Sequence, residues 1–200
     1  MPKVVDHEER RRELAEAVWR VILRDGLEGV SVRAVAVEAG WSTGALRHYL
    51  GTKEELLASA ARLLEERVVA RMQRRTGGLA PREAVRAALC EVLPLDEERR
   101  VEGAIWFAFT DRSLVEPRIS EEYQVVFSGM RELCNLITRD MAEMGQLAPG
   151  LDPAVEAARL HAVVDGLAVH GLLGRMDEAG MLAVLDAHLA EILQNSEAPG

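Results

Sequence analysis

The residues best suited to chemistry lie between Ser31 and Lys53. Thr43, Gly44, Ala45, Arg47 and His48 are small or polar, while Leu46 and Leu50 stand four apart among them. On a helix, residues four apart share a face, so the leucines turn inward and the small and polar set turns outward. A surface of this kind lets a backbone come close to the edges of DNA bases. Arg47 offers a two-pronged donor to guanine, and a small apolar side chain such as Ala45 touches a thymine methyl. Phosphate contacts are expected from the periphery, at Ser31 and Arg33 before this segment, Ser42 at its start, and Tyr49 and Lys53 after it. Lys53 falls in the first turn of the next helix and opposes that helix's dipole, a mismatch relieved by an anion lying between them.

The elements that must hold these residues are helical. Ala, Leu, Glu and Arg abound, aromatics are 4% of the chain, and no convincing strand pattern occurs. The expected fold is all-α with about nine helices. The first runs from about Glu8 to Asp25, with Leu14, Val18, Val21 and Ile22 on one face and Gly26 as a left-handed cap. Ser31 caps a short helix that turns Val32, Val35 and Ala36 inward, and Gly40 ends it. Ser42 or Thr43 caps a second short helix over Thr43–Leu50, with Trp41 packing at its start. Two short helices joined at Ala39-Gly40-Trp41-Ser42 make a helix-turn-helix, whose second helix fits a major groove. Helical geometry alone leaves a plain packing unit equally open. Thr52 and Glu55 form a capping box for a long helix to about Arg75, and Thr76-Gly77-Gly78 is the clearest break. Further helices are expected near Pro81–Leu93, Leu95–Arg112, Glu116–Gly145, Pro153–Gly174 and Asp177–Gln194.

Composition bounds the classes. The 200 residues are 48% hydrophobic and carry a net charge of −9. That charge is unevenly spread: residues 1–75 hold 14 basic against 12 acidic side chains, and the remainder 10 against 21. A mildly basic head on an acidic body can present one end to a polyanion, although acidic surface also serves solubility. No apolar run nears the length of a membrane span, and the amino end turns charged at once. Cys90 and Cys134 form neither a disulfide framework nor a zinc pattern, and are expected to behave as small buried hydrophobes. A soluble protein of a reducing cytoplasm is expected, without cofactor or metal. His161, Asp165 and His170 are too widely spaced along a helix to share a metal. An enzyme is disfavoured, since no Gly-rich phosphate loop, nucleophile elbow or paired carboxylate stands in recognisable context. Arg10-Arg11-Arg12, interleaved with Glu8, Glu9 and Glu13, reads as a solvated turn rather than a phosphate-contacting run.

The segment Glu8–Leu57 resembles the TetR (tetracycline-repressor-like) family of transcriptional regulators. The resemblance lies in Gly26-Leu27-Glu28-Gly29-Val30-Ser31-Val32-Arg33-Ala34-Val35-Ala36, then Ala39-Gly40-Trp41-Ser42-Thr43-Gly44, then His48-Tyr49-Leu50 and Lys53-Glu54-Glu55-Leu56-Leu57. Met1-Pro2-Lys3-Val4 and Ser42-Thr43-Gly44 look like the choline-responsive BetI-type branch. Trp41 stands where the family commonly has a small aliphatic residue, Arg47 where tyrosine is common and Leu50 where phenylalanine is common. Arg47 therefore bears on the operator sequence, while Trp41 and Leu50 adjust the core.

The resemblance implies a homodimer with a DNA-binding head (residues 1–52) and a ligand-binding and dimerising body (residues 53–200). It further implies a ligand-responsive regulator, most plainly a repressor that meets a palindromic double-stranded DNA operator and leaves it when a small-molecule inducer binds. A helical small-molecule-binding or interaction protein that does not read DNA is the alternative. In the family, the last two helices pair with their copies. Here Ala154, Ala158, Ala162 and Gly166 form a ridge of small residues, and Leu182, Leu185, Leu189 and Ile192 form a stripe. An inducer pocket is implied among Trp106, Phe109, Tyr123, Phe127 and Met130, with Asp165 suited to anchor a cation. Ordinary core packing remains the other reading of these apolar residues.

Overall fold

The computed structural model describes the backbone of residues 3–115 and 117–194, and the side chains of residues 7–113 and 128–194. Among the described residues there are nine α-helices and no strand: α1 (Lys3–Asp25), α2 (Val32–Ala39), α3 (Thr43–Arg47), α4 (Lys53–Thr76), α5 (Pro81–Cys90), α6 (Glu97–Val115), α7 (Pro117–Glu143), α8 (Pro153–Leu172) and α9 (Glu178–Ile192). A single 3-10 turn, Leu27–Gly29, links α1 to α2, and Leu147 and Leu193 form an isolated antiparallel bridge. The all-helical expectation holds among the described residues. α3 is shorter than Thr43–Leu50, because the chain leaves the helix at His48 and closes a turn with Tyr49 N donating to Leu46 O at 2.9 Å.

The chain divides into two compact units that do not follow its order. One comprises Met1–Arg67 and Ala104–Val126, the other Val68–Gly103 and Phe127–Gly200. In the first, Leu14, Val18, Val21 and Ile22 of α1 are buried, as are Val35, Leu46, Leu50, Leu56 and Ala60. Trp19 contributes its apolar body to this core and donates its indole N–H to Ala60 O at 3.0 Å, so its polar atom is satisfied. Glu38 of α2 accepts from Arg20 and Arg24 of α1, each at 2.7 Å. These pairs are exposed to solvent, which screens them and leaves them little net stabilisation, and the apolar contacts outweigh them.

The second unit is built around Leu89, Leu93, Cys134, Leu160, Val164, Met181, Leu185 and Ile192. α8 and α9 approach closely at Gly171, where a Cβ would lie 2.5 Å from Met181 Sδ and 2.8 Å from Pro94 Cγ. The unit also holds an ionic cluster in which Arg71 of α4 meets Glu91 and Glu102, both carboxylates being only 4% exposed. Arg99 lies 3.5 Å from Glu91 in the same cluster. Two near-buried carboxylates are tolerable only because guanidinium groups face them.

Candidate nucleic-acid interface

Backbone chemistry places the helix-turn-helix. Ser31 caps α2 by accepting from Ala34 N at 3.1 Å, and Ser42 caps α3 by accepting from Ala45 N at 3.1 Å. Gly40 sits at φ 71° in the left-handed region, which lets α2 stop and the chain reverse without a Cβ penalty. Trp41 N then returns to Ala36 O at 2.8 Å. After α3, Glu55 N donates to Thr52 Oγ1 and Thr52 N to Glu55 Oε2, both at 3.1 Å, so the capping box forms in both directions.

This scaffold turns Leu46 and Leu50 inward and leaves Thr43, Gly44, Ala45, Arg47 and His48 exposed. A Cβ on Gly44 would meet nothing within 4 Å, so the fold itself does not require glycine there. Arg33 and Arg47 are exposed and have no ion-pair partner among the described residues. Ser31 and Ser42 use an oxygen lone pair in capping and keep the hydroxyl hydrogen to donate. Lys53 departs from the expectation of a site kept for phosphate alone: its Nζ lies 3.7 Å from Glu28 Oε2. Glu28, in the 3-10 turn, also pairs with Arg112 of α6.

Tyr49 is half-buried in a ring cluster that the sequence reading did not foresee. Its centroid lies 5.4 Å from Trp41, 5.5 Å from His48 and 4.8 Å from His7 of α1. The Arg10 guanidinium lies over Trp41, 5.5 Å from the ring centroid. His7 and Arg10 are 42 and 31 residues from the rings they approach, and no local pattern signals such a pairing.

The body residues fall as follows. Trp106 is half-buried edge-on to Phe107 at 4.8 Å, and Phe109 is fully buried, both in the first unit. Met130 and Asp165 belong to the second unit. Tyr123 and Phe127 lie outside the residues whose side chains are described. Burial pushes the Asp165 carboxyl above the usual range, against the pull of His161, whose Nε2 is 3.4 Å away. Burial, with the Asp165 charge nearby, raises the Cys134 thiol to about 12, so this cysteine is no thiolate at neutral pH. On α8, Ala158 and Ala162 are exposed and Gly166 has open space at its Cβ position. On α9, Leu182 is half-buried, while Leu185 and Leu189 are at most 2% exposed in the chain's own core. The apolar stripe of α9 is thus used within the chain, because α9 must cover α8 and α5. The side left outward carries Ala183, Val184 and Ala187.

Comparison with known proteins accords with this geometry. Residues 14–67 match the family described as bacterial regulatory proteins of the tetR type, and residues 81–194 match the carboxy-terminal region of BetI-type transcriptional repressors. The HTH-type transcriptional regulator PksA of Bacillus subtilis is 42% identical over 196 residues, covering 96% of this chain and 94% of its own. A regulator named BetI from Paraburkholderia phymatum is 32% identical, with 86% of each chain covered. A transcriptional regulator from a Rhodococcus species superposes with a TM-score of 0.76 at 33% identity, covering 91% of this chain and 95% of its own. A regulator from Saccharomonospora viridis, solved in complex with choline, shares the fold with a TM-score of 0.80 at 24% identity, covering 94% of this chain and 100% of its own. These relatives are transcriptional regulators and not enzymes, and no helix among the described residues is long and apolar enough to cross a membrane. An exposed helix-turn-helix face, followed by a helical body matched over most of its length, makes this chain a member of the TetR family of bacterial transcriptional regulators.

Proposed function

We propose that the chain is a repressor that binds a palindromic DNA operator as a homodimer and releases it when a small molecule binds the body. The head, residues 1–52, carries the reading, and residues 53–200 carry ligand binding and dimerisation. The observation that carries the reading is the outer face of α3: Gly44 is not required by any neighbour, and the exposed Arg47 has no partner among the described residues. Arg47 reads a guanine edge, Thr43, Gly44, Ala45 and His48 form the face that approaches the bases, and Ser31, Arg33, Ser42, Tyr49 and Lys53 surround it as phosphate contacts. Lys53 moves from Glu28 towards phosphate on binding.

The second copy is expected on α8, where Ala158, Ala162 and Gly166 leave room for close helix approach, joined by the outward side of α9. Pairing there sets two heads about 34–36 Å apart, the spacing of successive major-groove turns. For the inducer, the half-buried Asp165 and the choline complex of the Saccharomonospora viridis regulator favour a quaternary ammonium compound. Inducer and DNA must prefer different states of the molecule, so that each weakens the other's binding. The test is duplex binding against salt. Affinity is expected to fall linearly on a double-logarithmic plot as counterions are released. A flat response overturns the DNA reading and favours a helical binding protein.

A further inference from the structure

Tyr49 stands among the proposed phosphate contacts, yet no helix fixes it: α3 ends at Arg47, and Tyr49 lies in the turn that follows. A side chain in a turn has rotamer freedom to lose on reaching a phosphate, and that loss is subtracted from affinity. In this chain the Tyr49 ring is held beforehand. Its centroid lies 5.4 Å from that of Trp41 at an interplanar angle of 77°, the edge-on arrangement that aromatic quadrupoles favour. Trp41 precedes α3 and Tyr49 follows it, so the pair closes across the recognition helix from its entry to its exit.

Trp41 is itself tied down from two sides. Its backbone N–H donates to Ala36 O of α2 at 2.8 Å, and Arg10 of α1 lies over its ring, 5.5 Å from the centroid. Core burial does not account for the indole. Leu46 and Leu50 make the buried side of this segment, at most 4% exposed, whereas Trp41 stays half-buried. Tyr49 is likewise half-buried, and among the described residues its hydroxyl has no hydrogen-bond partner. That hydroxyl keeps its donor for an acceptor outside the chain.

We propose that Trp41 is a positioning residue for DNA binding: it acts through Tyr49, holding that ring so that the hydroxyl meets a backbone phosphate beside α3. This rests on the α3 face meeting DNA. A backbone phosphate is the same in every sequence, so the contribution of Trp41 does not depend on the operator. Loss of Trp41 also costs no more than loss of the hydroxyl that it aims.

The experiment is a double-variant cycle on the full chain, read as affinity for a labelled duplex of random sequence at fixed salt and pH, with a melting curve for each variant. Tyr49→Phe removes the hydroxyl and keeps the ring, and should weaken binding about three- to tenfold. Trp41→Val removes the ring pair and should weaken binding by the same factor or less. If the valine variant melts too low to bind folded, Trp41→Leu carries the same cycle. The two changes combined should bind no worse than Tyr49→Phe alone, since nothing is left for Trp41 to position. Trp41→Phe keeps an aromatic ring and should recover most of the parent's affinity. A double variant weakened by the product of the two factors overturns the inference, because Trp41 then acts by packing alone. So does Tyr49→Phe or a folded Trp41→Val that binds as the parent, or Trp41→Phe that binds as weakly as Trp41→Val. Absence of salt-dependent duplex binding by the parent instead overturns the α3 reading itself, which keeps the two failures apart.

Discussion

A side chain at position 44 would touch no atom of this chain, yet glycine there leaves α3 less stable than alanine would. Glycine inside a helix costs roughly 0.5–1 kcal/mol relative to alanine. The expected outcome for Gly44→Ala is therefore unchanged or slightly raised thermal stability together with weakened DNA binding. Melting curves and duplex titrations on one sample check both. A loss of stability would show that the fold, rather than DNA, calls for glycine. Asp165 poses a similar conflict in the body. Its carboxyl is held above the ordinary range chiefly by burial, with His161 pulling the other way. A raised carboxyl favours the folded state at low pH, and that contribution is lost as pH rises through the shifted value, where the buried group must ionise. Asp165→Asn should thus raise the melting temperature at neutral pH, with the gain vanishing in acid. It should also abolish release of DNA by a quaternary ammonium compound. If the response to such a compound survives, Asp165 is not its anchor.

Among the elements, the caps were the most legible features. Ser31, Gly40, Ser42, Thr52 and Glu55 all act where their types suggest, because each satisfies backbone groups only a few residues away. The end of α3 was less legible, since His48-Tyr49-Leu50 continues the helical pattern while the chain turns to reach the next cap. The leucine stripe of α9 was legible as a buried face but not by its partner: Leu185 and Leu189 are buried within the chain's own core. Periodicity reveals that a face is buried and cannot say against what. The same helix carries His188, 8% exposed, with no hydrogen-bond partner for Nε2 among the described residues. Burial, then the nearby Arg159, holds this imidazole below its ordinary pKa, against the opposing pull of Glu156 and Glu191. The unfolded chain therefore binds the proton more readily than the folded one. Stability is full above about pH 6.5 and falls as pH drops below it. His188→Leu should flatten that dependence in melting curves between neutral pH and about pH 5; an unaltered slope would place the titration elsewhere.

For the whole molecule, the charge asymmetry and the small-residue ridge bear on assembly. The mildly basic residues 1–75 and the acidic remainder differ in charge sign, which favours approach of the former to a polyanion. The ridge on α8 is not consumed by intrachain contact, because the close approach to α9 occurs at Gly171 rather than at Gly166. With Ala162 exposed, Ala162→Arg should leave the monomer folded while placing a bulky charge in the proposed interface. Sedimentation velocity is expected to show a dimer for the parent and a monomer for the variant. The variant should also lose affinity for a two-half-site duplex while keeping weak binding to a single half-site. A variant that stays dimeric would move the interface off this ridge.

The all-helical architecture, the capped turns and the outward set on α3 follow from amino-acid order alone, since helix periodicity, caps and glycine conformations are decided within a few residues. Tertiary structure alone brought His7 and Arg10 to Tyr49 and Trp41, committed Leu185 and Leu189 to the interior, and set Lys53 beside Glu28. Each of these depends on which helix lies against which. Apolar burial drives that choice without regard to distance along the chain, so local pattern carries no record of it.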